Sequence, residues 1–400
     1  TGSRRGRRAR SLGRRGIRVV VPGKGNEYIR FSRFGERIPL QDGGNEHRQW
    51  LSWLAREGVQ RFRGGVVIPC GDSGLEFIVR YRAELEKDFR VYEANDAVLA
   101  AMLDKAETHA LAKKAGVPAP QVWIVHSLDD VRRIMHNVEY PCGLKPRVSH
   151  EFKKYFTEKL FVAHSPDELL QAYARVEPLK MEMMLTELIP GGDSGYCSYY
   201  SYLDERGEPL FHFTKQKLRQ YPIGFGIGTL HLTDWNAEVA ELGLKFFQGI
   251  GLRGYACVEF KRDPRDGKLK LIECNHRLTE PNELLIRSGL DVPSLIYNRL
   301  TGLPLPKLDT YRRNVTLIKP WEDLLACRQL RKRKELTYRT WLRSVMRPHC
   351  FLYFSWRDPF PLLSQFLWYW RRQISKIRRV LSGQSRKRIV ARPSLAEAES

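Results

Sequence analysis

The sequence is short of several things. Its seven cysteines, scattered over 400 residues, never fall at CxxC spacing. That spacing excludes a sequence-evident zinc site, and an odd count with no small-domain framework suits a reducing cytosol. No run reaches the eighteen or so apolar residues that a membrane span needs, and the N-terminus carries no apolar signal stretch. The pattern GxxxxGK[ST] is absent, which disfavours the P-loop route to nucleotide binding. No internal repeat appears.

Acid is scarce at the two ends. The formal net charge is +23, yet residues 1–18 hold eight arginines and no acid, and residues 328–392 hold eighteen Lys or Arg against Glu335 and Asp358. Residues 19–327 are therefore close to neutral, and the charge marks the ends of the chain. No nucleic-acid motif accompanies it, so a nucleic-acid partner is not expected. Residues 351–370 carry nine aromatics, followed by Arg371, Arg372 and the basic run 376–379. Pro361 to about Leu381 reads as an amphipathic helix, aromatic and then basic. It suits the inner face of an anionic membrane or packing back onto the body.

The middle of the chain alternates in character. Arg-rich residues 4–15 read as a helix ended by Gly16. Strands follow at Ile17–Val21, Val66–Cys70 and Phe89–Tyr92, with a helix over 75–87. This alternation predicts a small parallel sheet over 1–93. A helix is expected over 96–115, stopped by Gly116. Strands are expected at 122–125, 141–146, 159–163, 183–188, 196–203, 209–217, 254–262 and 268–274. Helices fit 127–135, 166–176, 234–249 and 281–288. The fold class is thus mixed, α/β followed by antiparallel α+β. Arg219 to Gly228, with three alternate glycines, reads as a mobile binding loop.

Glu259 and Glu273 flank Asp263-Pro264-Arg265-Asp266-Gly267, a turn signal. A hairpin there would bring both carboxylates to one end. Glu273, Asn275 and Arg277 alternate, so an extended chain points them to one face. Two carboxylates and an amide oxygen are hard ligands suited to Mg2+, and Arg277 is suited to a phosphoryl oxygen. The same pattern also fits an ordinary hairpin with a solvated acidic face. Lys145, between a strand and a proline, needs an anionic partner if it is buried; a snorkelling lysine is the other reading. Lys105, Lys159, Lys215, Lys217 and Arg219 are individually weak cationic candidates. Thr186 to Asp193 runs from a strand into Gly191-Gly192, a turn able to present backbone groups to a purine.

Taken in order, Asp104-Lys105, Gly143-Leu144-Lys145-Pro146, Thr186-Glu187-Leu188-Ile189, Glu259 and Glu273-Cys274-Asn275-His276-Arg277 resemble the ATP-grasp superfamily. The flavour is similar to its carboxylate–amine ligase-like group, which includes D-aspartate ligases. Pro69-Cys70-Gly71-Asp72, the run Lys145–Phe152 and Arg219-Gln220-Tyr221-Pro222 are shared features there. The resemblance covers about residues 10–305. It implies a pre-ATP-grasp subdomain over 1–95, an ATP-grasp domain over 96–305 with lobes 96–182 and 183–305, and a basic aromatic extension over 306–400.

The resemblance also implies roles. Lys105 and Lys145 would meet ATP phosphates. Thr186, Glu187 and Ile189 would line the adenine, and Asp193 would hold the ribose. Glu259, Glu273 and Asn275 would ligate Mg2+, with Mn2+ as a substitute. Arg277, Lys217 and Arg219 would steady the transferring phosphoryl group. The phosphate-covering loop departs from the glycine-rich pattern, reading Val148 to Lys154, so the Ser149 or His150 side chain would substitute. The first strand and its glycine loop are expected to be missing, with Thr1-Gly2 as the remnant.

The expected activity is a cytoplasmic, ATP-dependent ligation of a small carboxylate to an amine through an acyl phosphate, in a homodimer. A non-catalytic ATP-binding or peripheral membrane protein on the same fold is the alternative.

Overall fold

The computed structural model describes residues 9–23, 27–40, 45–148, 152, 155–156, 158–346, 349–352, 354–363, 367, 370 and 374. Four β-sheets organise them. β1 (Val20–Pro22) pairs in parallel with β2 (Glu36–Ile38), and β3 (Val66–Val67) with β4 (Arg90–Val91). The single N-terminal sheet expected from sequence is thus two separate two-stranded ladders. Each strand has only two or three residues, too few to carry a continuous sheet. Helix α1 (Asp72–Leu85) lies between β3 and β4 in sequence, as in a parallel crossover.

The helix expected over 96–115 is two, α2 (Asp96–Leu103) and α3 (Lys105–Lys114). Asp104 is the break. Its backbone is extended, and its side chain accepts from the Ala106 and Glu107 amides, so it ends one helix and caps the next. Next comes a four-stranded antiparallel sheet in the order β5-β8-β6-β7, formed by β5 (Val122–Val125), β6 (Cys142–Pro146), β7 (Phe161–Ala163) and β8 (Met183–Glu187).

The large sheet has seven strands: β9 (Tyr196–Leu203), β10 (Phe213–Tyr221), β11 (Ile227–Thr233), β12 (Gly254–Arg262), β13 (Leu269–Asn275), β14 (Thr316–Ile318) and β15 (His349–Phe351). Their order is β13-β12-β9-β10-β11-β14-β15. Both faces are covered. On β9, Tyr200 and Tyr202 join one apolar cluster, while Tyr199 and Leu203 join the other. This is why the strand reads as a nearly continuous apolar run. Helix α4 (Ala237–Gly249) packs through Val239, Ala240, Gly243, Phe246 and Phe247, which are buried at helical spacing. A Cβ on Gly243 would stand 2.3 Å from the Tyr199 ring, so that contact needs glycine.

Two expectations change here. The segment read as a loop is the hairpin β10–β11, with a turn at Pro222–Gly226. The residues read as an extension supply β14 and β15 to the sheet edge, together with α5 (Pro320–Lys332) and α6 (Tyr338–Val345). Asp323 of α5, fully buried, accepts from Arg219 Nε at 2.9 Å and Nη2 at 2.8 Å. It also accepts from Thr229 Oγ1 at 2.7 Å and Trp341 Nε1 at 2.8 Å. Near the other end, Asp358 accepts from Arg10 Nε at 3.2 Å and Ser32 Oγ at 2.8 Å, joining the N-terminal helix to the last described loop. The aromatic helix expected from Pro361 is described at 361–363, 367, 370 and 374, all helical; the rest of it lies outside the described residues.

Removing Asp323 leaves the Arg219 charge buried without its partner. Asp323→Ala is expected to cost about 3–5 kcal/mol of unfolding free energy in urea titrations. A loss under about 1 kcal/mol would show that this pair does not hold the C-terminal helices to the sheet.

Candidate functional site

The site begins with the β12–β13 hairpin. At its turn the Asp263 carboxylate accepts from the Arg265 amide at 3.0 Å, and Gly267 takes φ +71°, a conformation suited to glycine. The resulting register sets Glu259 opposite Glu273, and Cys257 opposite Asn275. Like charges directly opposite on neighbouring strands repel. Lys217 of β10 offsets part of this, donating from Nζ to Glu259 Oε1 at 2.8 Å while standing 4.1 Å from the Tyr196 ring centroid. The Asn275 amide donates to Glu273 Oε1 at 3.1 Å.

Glu273 is open to solvent through a cavity yet encircled by protein. Desolvation alone would raise its carboxyl. Lys159, Lys217, the Asn275 amide and Arg277 outweigh that and hold it below the usual carboxylate range.

That cavity, about 370 Å3, brings together Lys105, Lys145, Lys217, Glu259, Glu273, Asn275 and Arg277. Lys145 comes from β6 and lies 3.5 Å from His109 Nε2. Burial and then Lys105 push the Lys145 ammonium down to about 7, against an opposing pull from Glu273. Burial, then Lys145 and Lys105, push His109 to about 3, so its ring is neutral. Lys105 opens α3 and donates to the Pro146 carbonyl at 3.2 Å. Arg277 pairs through Nε and Nη2 with Asp72, at the start of α1.

The sequence reading did not assign Asp72 a role, although it noted the Gly71-Asp72 pair. From sequence, Lys159 and Lys215 are only weak candidates. Both line the cavity, Lys159 donating to the Gly226 carbonyl at 2.6 Å and Lys215 to Ser198 Oγ at 3.0 Å. His231 was missed altogether. It faces Lys217 across the β10–β11 ladder, and burial followed by Lys215, Lys217 and Lys319 keeps its ring neutral. No pattern at residue 231 announced this; it follows from the hairpin.

Other expected residues stand elsewhere. Arg219 does not line the cavity, because Asp323 holds its guanidinium bidentately in the protein interior. A catalytic role for it is therefore replaced by a structural one. Asp193 is buried, accepting from Gln220 Nε2 at 2.7 Å and the Gly224 amide at 3.1 Å, so it secures the β10–β11 turn where a ribose contact was expected. Thr186, Glu187 and Ile189 lie at and beyond the end of β8, outside the cavity lining. Thr186 Oγ1 donates to the Glu187 carbonyl at 3.2 Å, and the Ile189 carbonyl accepts from Lys261 at 2.7 Å. Glu187 pairs with Lys270 at 2.9 Å and faces a separate polar groove. Ser149 lies outside the described residues.

Among the described residues no three His, Cys, Asp or Glu side chains form a ready metal cluster. The fit to a cation rests on other grounds. Two carboxylates held opposite each other beside an amide oxygen supply hard donors, and a divalent cation between them would remove their repulsion. Lys105, Lys145 and Lys217 around the same cavity suit the phosphates of a nucleotide.

Comparisons with known proteins bear on the fold that carries this cavity. No family model matches the chain. D-aspartate ligase of Enterococcus faecium is 25% identical over 241 residues, 58% of this chain and 57% of that protein. D-alanine–D-alanine ligase of Xylella fastidiosa is 24% identical over 195 residues, 46% of this chain and 61% of that protein. The chain thus spans less than two thirds of either relative. Among solved structures, the L-amino acid ligase of Bacillus licheniformis matches with TM-score 0.61 at 16% identity, over 78% of this chain and 77% of that one. The biotin carboxylase domain of Hydrogenobacter thermophilus 2-oxoglutarate carboxylase, solved as a dimer with MgADP and bicarbonate, matches with TM-score 0.62 at 18% identity, over 78% and 71%. With its four-stranded and seven-stranded sheets, the chain has the ATP-grasp fold of these solved structures.

Proposed function

We propose that this chain joins a small carboxylic acid to an amine, using ATP and Mg2+ and releasing ADP and phosphate. One observation carries the reading: Glu259 and Glu273 face each other in a cavity that also gathers Lys105, Lys145, Lys217 and Arg277. In the first step an oxygen of the acid attacks the γ-phosphorus of ATP, the bond to the β–γ bridging oxygen breaks, and ADP leaves. In the second, the amine nitrogen attacks the acyl carbon, phosphate leaves with the C–O electrons, and the amine gives its proton to solvent. A bound Mg2+ would neutralise phosphate charge and polarise the transferred group.

The chain's own residues do the positioning. Glu259, Glu273 and the Asn275 oxygen would hold the metal. Lys145 and Lys105 would hold phosphate oxygens at the four-stranded sheet. Lys217, already paired with Glu259, would meet the charge that develops on the transferring group. Arg277 would meet the same group, with Asp72 fixing its guanidinium plane. A cytoplasmic setting, assembly as a homodimer, and contact of the basic C-terminal tail with an anionic membrane are part of the same proposal. The tail beyond residue 374 lies outside the described residues.

Two outcomes follow. Glu273→Ala is expected to lower acid-dependent ADP release by about a thousandfold or more with the circular dichroism spectrum unchanged. Turnover at the wild-type rate would remove Glu273 from the metal site, and MgATP binding with no turnover for any acid in the wild type would mark a non-catalytic binder.

The second concerns pH. Lys145 sits near 7 without ligand, and nucleotide phosphates favour its charged form. Nucleotide binding should therefore take up a proton, and affinity should fall between pH 7 and 9, by up to about tenfold per unit. Titration calorimetry in buffers of different ionisation enthalpy measures both. Lys145→Arg, charged throughout, should flatten the profile; a flat wild-type profile would contradict the assignment.

A further inference from the structure

Helix α6 presents an apolar stripe to solvent. Tyr338 and Leu342 in the helix, and Met346 that caps it, recur every fourth residue and are 48%, 52% and 73% exposed. A helix of a globular protein ordinarily turns such a stripe inward. α6 is held by another residue, since Trp341 donates from Nε1 to the buried Asp323 at 2.8 Å. The helix is therefore fixed in place with Tyr338, Leu342 and Met346 facing out.

The charge beside this stripe has one sign. Arg339 and Arg343 form the adjacent row and are exposed, and the Arg331 guanidinium lies 3.7 Å from the Tyr338 ring centroid. Residues 328–346 hold seven Lys or Arg, with Glu335 as their only acid. Further exposed aromatics follow, Trp356 at 88% and Phe360 at 63%. Among the described residues no helix is long and apolar enough to cross a membrane. An apolar row flanked by arginines and followed by exposed aromatics matches the chemistry of a bilayer interface, where acyl chains lie beneath anionic headgroups.

We propose that α6 docks this protein on an anionic lipid surface. Tyr338, Leu342 and Met346 enter the boundary between headgroups and acyl chains, while Arg339 and Arg343 meet lipid phosphates. Trp341, through Asp323 and Arg219, ties the docked helix to β10, the strand that carries Lys217 into the cavity. Docking thus holds the candidate active site at the membrane surface. It extends the membrane contact proposed above from the tail to α6, and it stands or falls separately from the ligase chemistry.

The test is sedimentation of the full chain with phosphatidylcholine vesicles, with and without phosphatidylglycerol, at low and high salt. Binding is expected to the anionic vesicles alone and to weaken with salt. The charge-neutral double variant Leu342→Ser/Met346→Ser should lower partitioning about tenfold or more, with the melting temperature and nucleotide affinity unchanged. Equal sedimentation with neutral vesicles would overturn the proposal, as would undiminished binding by the double variant. Light scattering that shows a wild-type dimer dissolved by the same two substitutions would also overturn it, because a second copy would then cover the stripe.

Discussion

Two glutamates held face to face on neighbouring strands set the terms for the rest of this site. The register of β12 and β13 places Glu259 and Glu273 as direct partners, where their charges oppose pairing. Seven strands with both faces covered hold that register, since a slip by one residue would reverse every side chain. Lys217 from β10 meets Glu259, and the Asn275 amide meets Glu273, yet both carboxylates keep oxygens for further ligands. The arrangement leaves hard oxygen donors facing the cavity, and the metal site proposed above rests on them.

Around that pair the cations fall into two groups. Arg277 and Lys217 have carboxylate partners and therefore fixed positions. Lys145 has a neutral histidine beside it and is pushed towards neutrality by burial and Lys105. An incoming phosphate changes the state of the second group far more than the first. In the proposed reaction, Arg277 and Lys217 would be preset positioning groups, and the charge of Lys145 would be completed by the ligand.

How much of this was legible in the sequence depended on whether the signal was local. The Glu273-x-Asn275-x-Arg277 alternation and the turn between Asp263 and Gly267 are local, and the hairpin follows them. The strand of Lys145 was legible from its apolar flanks. Asp104 was not, because the apolar pattern runs through it and only its capping bonds split the helix. Arg219 shares its segment with Lys217, and a β-bulge lies between them. Its partner Asp323 is over a hundred residues away, so no nearby pattern marked it as structural. The partners of Asp193 are distant for the same reason, being supplied by Gln220 of β10 and by Gly224 in the turn that follows. The strands β14 and β15 are three residues each and draw their place from the sheet edge. A charge-rich composition around them reads as an appendage until that edge is seen.

The central claim is that Glu259 and Glu273 share a divalent cation that serves a bound nucleotide. Anomalous diffraction from crystals grown with Mn2+ and ADP tests it most directly. The expected result is a manganese peak beside Glu259 and Glu273, with the ADP phosphates near Lys145. Density for ADP in the cavity with no manganese between Glu259 and Glu273 would contradict it.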